Sequence, residues 1–168
     1  VLGSGPQTWA LFALNVAVTA ITFACLNGLA AVGEEFGWRG VLQHHLIERM
    51  GFWRGVAVLG FVWGIWHVPV NLAGYNYSDA PVWGALVVFP VELIAVSFIM
   101  AWLTIRAQSF WPAVLMHGSG NGIEDGVVSS IQLVTGVAPL TADYVQLAIT
   151  ICLAIAWASP GSNASPKP

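Results

Sequence analysis

Three short polar clusters interrupt an otherwise strongly apolar chain, and their residue types are those of hydrolytic chemistry. The first is Gly33-Glu34-Glu35-Phe36-Gly37-Trp38-Arg39-Gly40. On a helix, Glu35 and Arg39 stand one turn apart with the acid N-terminal, the favourable order for an ion pair. In low dielectric that pairing keeps Glu35 ionised. Glu34 points about 100° away and has no obvious local partner, so burial should raise its pKa toward that of a working acid or base. The competing reading is an ordinary surface ion pair on a cytoplasmic loop.

The second cluster is Trp63-Gly64-Ile65-Trp66-His67-Val68-Pro69. Trp63 and His67 share a helical face, so the indole can pack on the imidazole and exclude water. Pro69 cannot donate to the carbonyl of Ile65, which predicts a free acceptor and a kink near His67. An interfacial histidine bonded to a backbone carbonyl fits the same residues. The third cluster is Met116-His117-Gly118-Ser119-Gly120-Asn121. His117 and Asn121 lie one turn apart, Glu124 continues their face, and the small residues between them would admit a neighbouring helix. A helix contact joined by Asn121 explains the asparagine but not the histidine. Taken together, Glu and His from separate helices are the groups that activate a water for peptide hydrolysis. A carboxylate takes the proton, imidazoles orient the water or bind metal, and an amide steadies the oxyanion.

The elements that must position these groups are membrane helices. Of the residues, 57% are hydrophobic and only 8% charged, against roughly 25% in an ordinary soluble domain. Lipid must therefore cover the surface, and nine tryptophans suit the membrane interface. An ionisable group at bilayer depth costs from roughly 3 to above 10 kcal/mol, which makes the clusters functional candidates. The net charge of −3 gives no reason to expect nucleic acid as a partner. Cys25 and Cys152 lie in apolar runs and read as small buried hydrophobes, not as a disulfide.

The expected fold is all-α: a polytopic transmembrane bundle of about five spans, with a polar helical segment carrying the first cluster. The spans run from about Trp9 to Val32, Trp53 to Leu72, Val82 to Ile105 (containing Pro90 and Glu92), Trp111 to Val134, and Asp143 to Ala158. They form one membrane-embedded domain over residues 1–158, with a catalytic core of about 29–135. A Gly/Asn/Asp/Pro-rich loop separates the second and third spans, and the Ser/Pro-rich tail 159–168 should be disordered. Val1 in place of Met points to a piece of a longer protein with earlier spans. Arg39, Arg49, Arg54, Arg106 and Lys167 all fall in alternate connections, which the positive-inside rule puts on the cytoplasmic face of a multi-pass cell-membrane protein. In a simple five-span topology, His67 lies roughly 20 Å along a helix past Arg54, deeper than Glu34 or His117. Either residues 33–50 dip into the membrane, or the second span starts below the bilayer, or the topology differs.

The ordered set E-E-x-x-x-R, aromatic-x-x-x-H and H-x-x-x-N on successive membrane helices resembles the CPBP family, the CAAX-processing and bacteriocin-processing intramembrane proteases also called Abi or Rce1-like. Glu34, Glu35 and Arg39 match its first motif, His67 its second and His117 with Asn121 its third. Trp63 stands where the family usually has Phe. The resemblance implies an endopeptidase in which Glu34 is the general base, His67 and His117 hold the water or a divalent metal, Asn121 stabilises the oxyanion, and Glu35 and Arg39 give support. His67, His117 and Glu34 would make an acceptable zinc shell with an open position, although Glu124 or Glu92 would then have to serve as base. A metal-free glutamate mechanism stands beside it. The family name implies a peptide or protein substrate that is prenylated. A proton-coupled or solute transporter using the Glu and His residues as a relay, and a catalytically silent immunity or scaffold protein, are the alternatives. His44 and His45 are expected at the membrane interface.

Overall fold

A computed structural model describes residues 8–77, 79–123 and 139–158. Among these residues every regular element is helical. In chain order they are α1 (Trp9–Glu35), a π-helical segment (Phe36–Leu42), α2 (Gln43–Met50), α3 (Phe52–Trp66) and α4 (Val68–Leu72). There follow α5 (Pro81–Trp83), a second π-helical segment (Gly84–Val88), α6 (Phe89–Ala107), α7 (Trp111–Ile123) and α8 (Pro139–Ala158). The chain divides into two compact units, residues 1–34 with 114–137 and residues 35–113 with 138–168.

In the first unit, α1 carries no charge before Glu34. Its large apolar side chains, among them Leu14, Ile21, Leu26 and Leu29, face outward, while Ala31 is buried.

In the second unit, α3 packs along α6 and α2. Buried positions on α3 recur at Gly55/Val56, Leu59/Gly60 and Trp63/Gly64, the spacing of one helical stripe. Two glycines of that stripe set the approach of α6. A Cβ on Gly60 would stand 2.5 Å from the Cα of Ile94, and one on Gly64 would stand 2.6 Å from the Cα of Pro90. Only hydrogen at those positions lets the backbones close. Pro90 has a further local effect: it offers no N–H to Leu86, one turn earlier, and the preceding turn is the wider π form. At the other end, α6 stops on Gln108 in the left-handed region (φ 52°). The Ser109 and Gln108 amides donate to Thr104 and Ile105 carbonyls, closing the helix as glycine more often does.

Alongside an apolar core of residues such as Val56, Leu59, Val88, Ile99 and Met100, this unit buries several polar side chains and turns large apolar ones outward. Glu35, Arg39, Gln43, Asn71, Glu92, Ser97 and Thr104 are buried, while Phe61, Ile65, Trp66, Leu86 and Val91 are exposed. Of the expected spans, the continuous helical stretch Pro81–Ala107 is long and apolar enough to cross a membrane. Phe52–Trp66 and Asp143–Ala156 are shorter apolar helices. The expected second span does not run through to Leu72 as one helix, because α3 ends at Trp66 and α4 restarts at Val68. The fourth is described only to Ile123; Glu124, Asp125 and the tail lie outside the described residues. Cys25 and Cys152 are free thiols, but both are exposed, not buried. The outward faces of α1 and α8 are themselves apolar, and a thiol is at home there.

Candidate active site

The first motif is held by a straight seam of buried polar side chains. Glu35, Arg39 and Gln43 are each at most 1% exposed. Residues four and eight apart drift around an α-helix of 3.6 residues per turn; the wider turn at Phe36–Leu42 offsets that drift. Nη1 of Arg39 donates to Oε1 of Glu35 at 2.9 Å, and Nη2 donates to Oγ of Ser97 on α6 at 3.1 Å. Nε2 of Gln43 donates to Oγ1 of Thr104 at 3.0 Å. The Thr104 hydroxyl in turn donates back to the Met100 carbonyl at 2.9 Å. A charge pair removed from water is costly unless further hydrogen bonds support it, and on α6 Ser97 supplies one to Arg39.

The same arginine joins the first motif to the second. Its guanidinium carbon lies 4.1 Å from the centroid of the Trp63 ring, a distance at which a cation is drawn to the π face. Trp63 is 2% exposed. The Trp63 indole thus serves as the floor for Arg39 and as a wall for His67, whose ring centroid is 5.9 Å away. Trp38 and Trp66 meet edge to face at 6.1 Å, a second contact between the two motifs.

His67 sits at the break between α3 and α4. Pro69 cannot continue the α-helical ladder, and the His67 amide donates to the Gly64 carbonyl at 3.2 Å. In an unbroken helix it would reach Trp63. The Trp63 carbonyl is instead engaged by Nδ1 of the His67 ring at 2.9 Å. A carbonyl only accepts, so Nδ1 carries the proton, and in the neutral ring Nε2 holds the lone pair. A backbone carbonyl on one ring nitrogen is a common way of orienting an imidazole whose other nitrogen is a base or ligand. Trp66 and Phe89 add rings at 4.7 and 5.0 Å.

Glu34 is half-buried. Glu34, for which the sequence shows no obvious local partner, is engaged in an interaction. On α7, His117 is half-buried and also engaged, whereas Asn121, one turn on, is exposed. A Cβ on Gly120 would meet nothing within 4 Å. The expected close helix approach through the small residues of the third motif is therefore not made at Gly120; the described close approaches are at Gly55, Gly60, Gly64 and Gly84. His44 and His45 are exposed on α2.

Glu92, weighed from sequence as a stand-in base, is buried on α6 and accepts hydrogen bonds from Nε2 of Gln146 at 2.8 Å and the Tyr77 hydroxyl at 3.4 Å. A cavity of about 590 Å³ opens among Arg39, His44, Glu48, Thr104, Gln108 and Phe110; its lining includes none of Glu34, His67 and His117. Among the described residues no three His, Cys, Asp or Glu side chains gather closely enough to hold a metal ion.

Sequence reading missed Ser97, Thr104, Tyr77 and Gln146, which are lone polar residues without a spacing signal. It also passed over Gly60-x-x-x-Gly64, whose small-xxx-small pattern marks the helix crossing in advance.

A family model described as type II CAAX prenyl endopeptidase Rce1-like matches residues 15–123. The CAAX prenyl protease 2 of Methanococcus maripaludis is 28% identical over 94 residues, which cover 53% of this chain and 34% of that relative. The chain thus matches much less than two thirds of the relative's length. No solved structure gives a significant match.

Proposed function

The chain belongs to the Rce1-like family of type II CAAX prenyl endopeptidases, and from that premise we propose that it is an intramembrane endopeptidase acting on a prenylated peptide or protein. It crosses the cell membrane several times as a single domain, with Arg39, Arg49, Arg54, Arg106 and Lys167 toward the cytoplasm. The family consists of membrane proteins, and the buried polar and exposed apolar residues of the second unit support a lipid-facing bundle.

In the proposed reaction, Glu34 takes a proton from a water oriented by His67 and His117. The water oxygen attacks the peptide carbonyl carbon, and Asn121 donates to the oxygen that becomes an oxyanion. The proton then passes to the leaving nitrogen as the C–N bond breaks, giving a carboxylic acid and an amine, which exchange a proton to become carboxylate and ammonium. Glu35 and Arg39 support this arrangement through the seam on α6. If a divalent metal is used, zinc by donor set, His67, His117 and Glu34 would hold it, and it would supply polarisation of the water.

One observation carries the reading furthest: the Trp63 carbonyl holds the proton side of the His67 ring, the geometry of a working imidazole. The test is cleavage of a prenylated C-terminal peptide by the full chain in nanodiscs. Glu34→Ala should lower the rate by about 10²–10⁴-fold; equal rates in wild type and variant overturn the proposal. Exhaustive chelation distinguishes the two mechanisms: a chelated enzyme that keeps its rate needs no metal.

A further inference from the structure

Glu92 is a buried carboxyl on the stretch of helix long enough to span a membrane, where ionisable groups are expensive and rarely idle. The reaction above does not use it. Its partners show what it holds. Gln146 comes from α8, and Tyr77 comes from the segment linking α4 to α5. Tyr77 is 6% exposed, and its ring occupies the place a side chain on residue 84 would take: a Cβ on Gly84 would overlap the Tyr77 ring atoms. The phenol is thus seated at one end by a glycine slot and at the other by the Glu92 carboxyl.

From that seat the ring reaches the candidate site. Tyr77 meets Phe89 edge to face with centroids 6.0 Å apart, and Phe89 meets His67 at 5.0 Å. The neighbouring residue ties the same segment down, since Nδ2 of Asn76 donates to Oδ1 of Asn71 at 2.9 Å. Asn71 lies one turn beyond His67 on α4. The linking segment is therefore pinned to α4 on one side of His67 and to α6 on the other. His67 needs such support because it stands at a helix break. Of the rings described around it, Trp63 and Trp66 belong to its own helix and Phe89 reaches it from α6.

We propose that Tyr77, seated on Gly84 and held through its phenol by Glu92, is a positioning residue for His67. This rests on the peptidase reading for its catalytic consequence, but its structural claim stands alone: the Tyr77–Phe89 stack keeps the imidazole in the orientation that bonds Nδ1 to the Trp63 carbonyl.

The experiment uses the full chain in nanodiscs with Tyr77→Phe, Tyr77→Leu, Glu92→Leu and Glu92→Gln. It reads kcat, KM, thermal stability and the ¹⁵N spectrum of the His67 ring. Tyr77→Leu and Glu92→Leu should lower kcat by about 10–100-fold, the usual effect of an orienting partner, with KM unchanged and His67 in mixed tautomers. Glu92→Gln, whose amide oxygen still accepts, should recover most of the loss. If the leucine variants do not fold, Tyr77→Phe, which cannot donate to Glu92, carries the test: it should lower kcat by about 10-fold with His67 in mixed tautomers, and wild-type kcat with an unchanged His67 spectrum overturns the inference. A folded Tyr77→Leu and Glu92→Leu with wild-type kcat, or an unchanged His67 spectrum, overturns the inference. If the wild type cleaves nothing, the peptidase reading fails while the ring-nitrogen spectra still decide the positioning claim.

Discussion

The imidazole of His67 is walled by Trp63, Trp66 and Phe89 and tied through Nδ1 to a backbone carbonyl. One turn beyond His117, by contrast, Asn121 is exposed and Gly120 has open space beside it. The two histidine motifs share a spacing logic in the sequence yet differ in how they are held. Around His67 the described neighbours restrict the ring: an indole stacked on Arg39, a second indole at Trp66, a carbonyl left by a broken helix, a phenylalanine on α6. At Asn121 the side chain is exposed. A hydrolytic site needs both conditions, a base or ligand of fixed orientation and a donor that a substrate oxygen can reach. The difference teaches that equal spacing in sequence does not mean equal surroundings.

The comparison can be broken most forcefully at the seam behind His67. Arg39→Leu leaves the Glu35 carboxylate buried without its cation and should cost about 3–5 kcal/mol, with the paired Glu35→Leu/Arg39→Leu variant recovering much of it. Thermal melts of both in the same lipid check this, and an unchanged melting temperature in the single variant would show that the seam carries no weight. On the open side, Asn121→Ala should lower kcat by about 10²–10³-fold, as loss of an oxyanion donor does. Being exposed, it should leave stability within about 0.5 kcal/mol. A variant that loses stability and activity together would make Asn121 a packing residue.

Smaller effects sharpen the contrast through glycine. Gly64→Ala forces a methyl to within 2.6 Å of the Pro90 backbone, and overpacking of that kind costs about 1–3 kcal/mol. Gly120→Ala meets nothing within 4 Å and should be neutral or stabilise by about 0.5–1 kcal/mol through helix propensity alone. Denaturation of both variants under one condition measures the difference; equal shifts would mean that the two faces are packed alike.

Much of the candidate site was legible because its signals are local. Glu35 and Arg39 lie one turn apart, and the structure pairs them at 2.9 Å. Pro69 announced the break at His67, since a missing N–H acts on its own turn wherever the chain runs. The partners of those residues were not legible. Ser97 and Thr104 receive Arg39 and Gln43 from far along the chain, and a serine or threonine on an apolar helix carries no mark of which face will be buried.

The residue types alone determined that this chain is helical and too apolar to cover itself with polar surface, because 8% charge leaves too little of it. They also determined the order and spacing of the groups offered for chemistry, which place the chain in its family. Tertiary structure decided which polar side chains meet in the interior, that Arg39 rests on Trp63, and that Glu92 is engaged by Tyr77 and Gln146. Those outcomes depend on helix crossings set by Gly60 and Gly64 at distances of a few ångströms. Hydropathy and periodicity describe one helix at a time and carry no information about its neighbour.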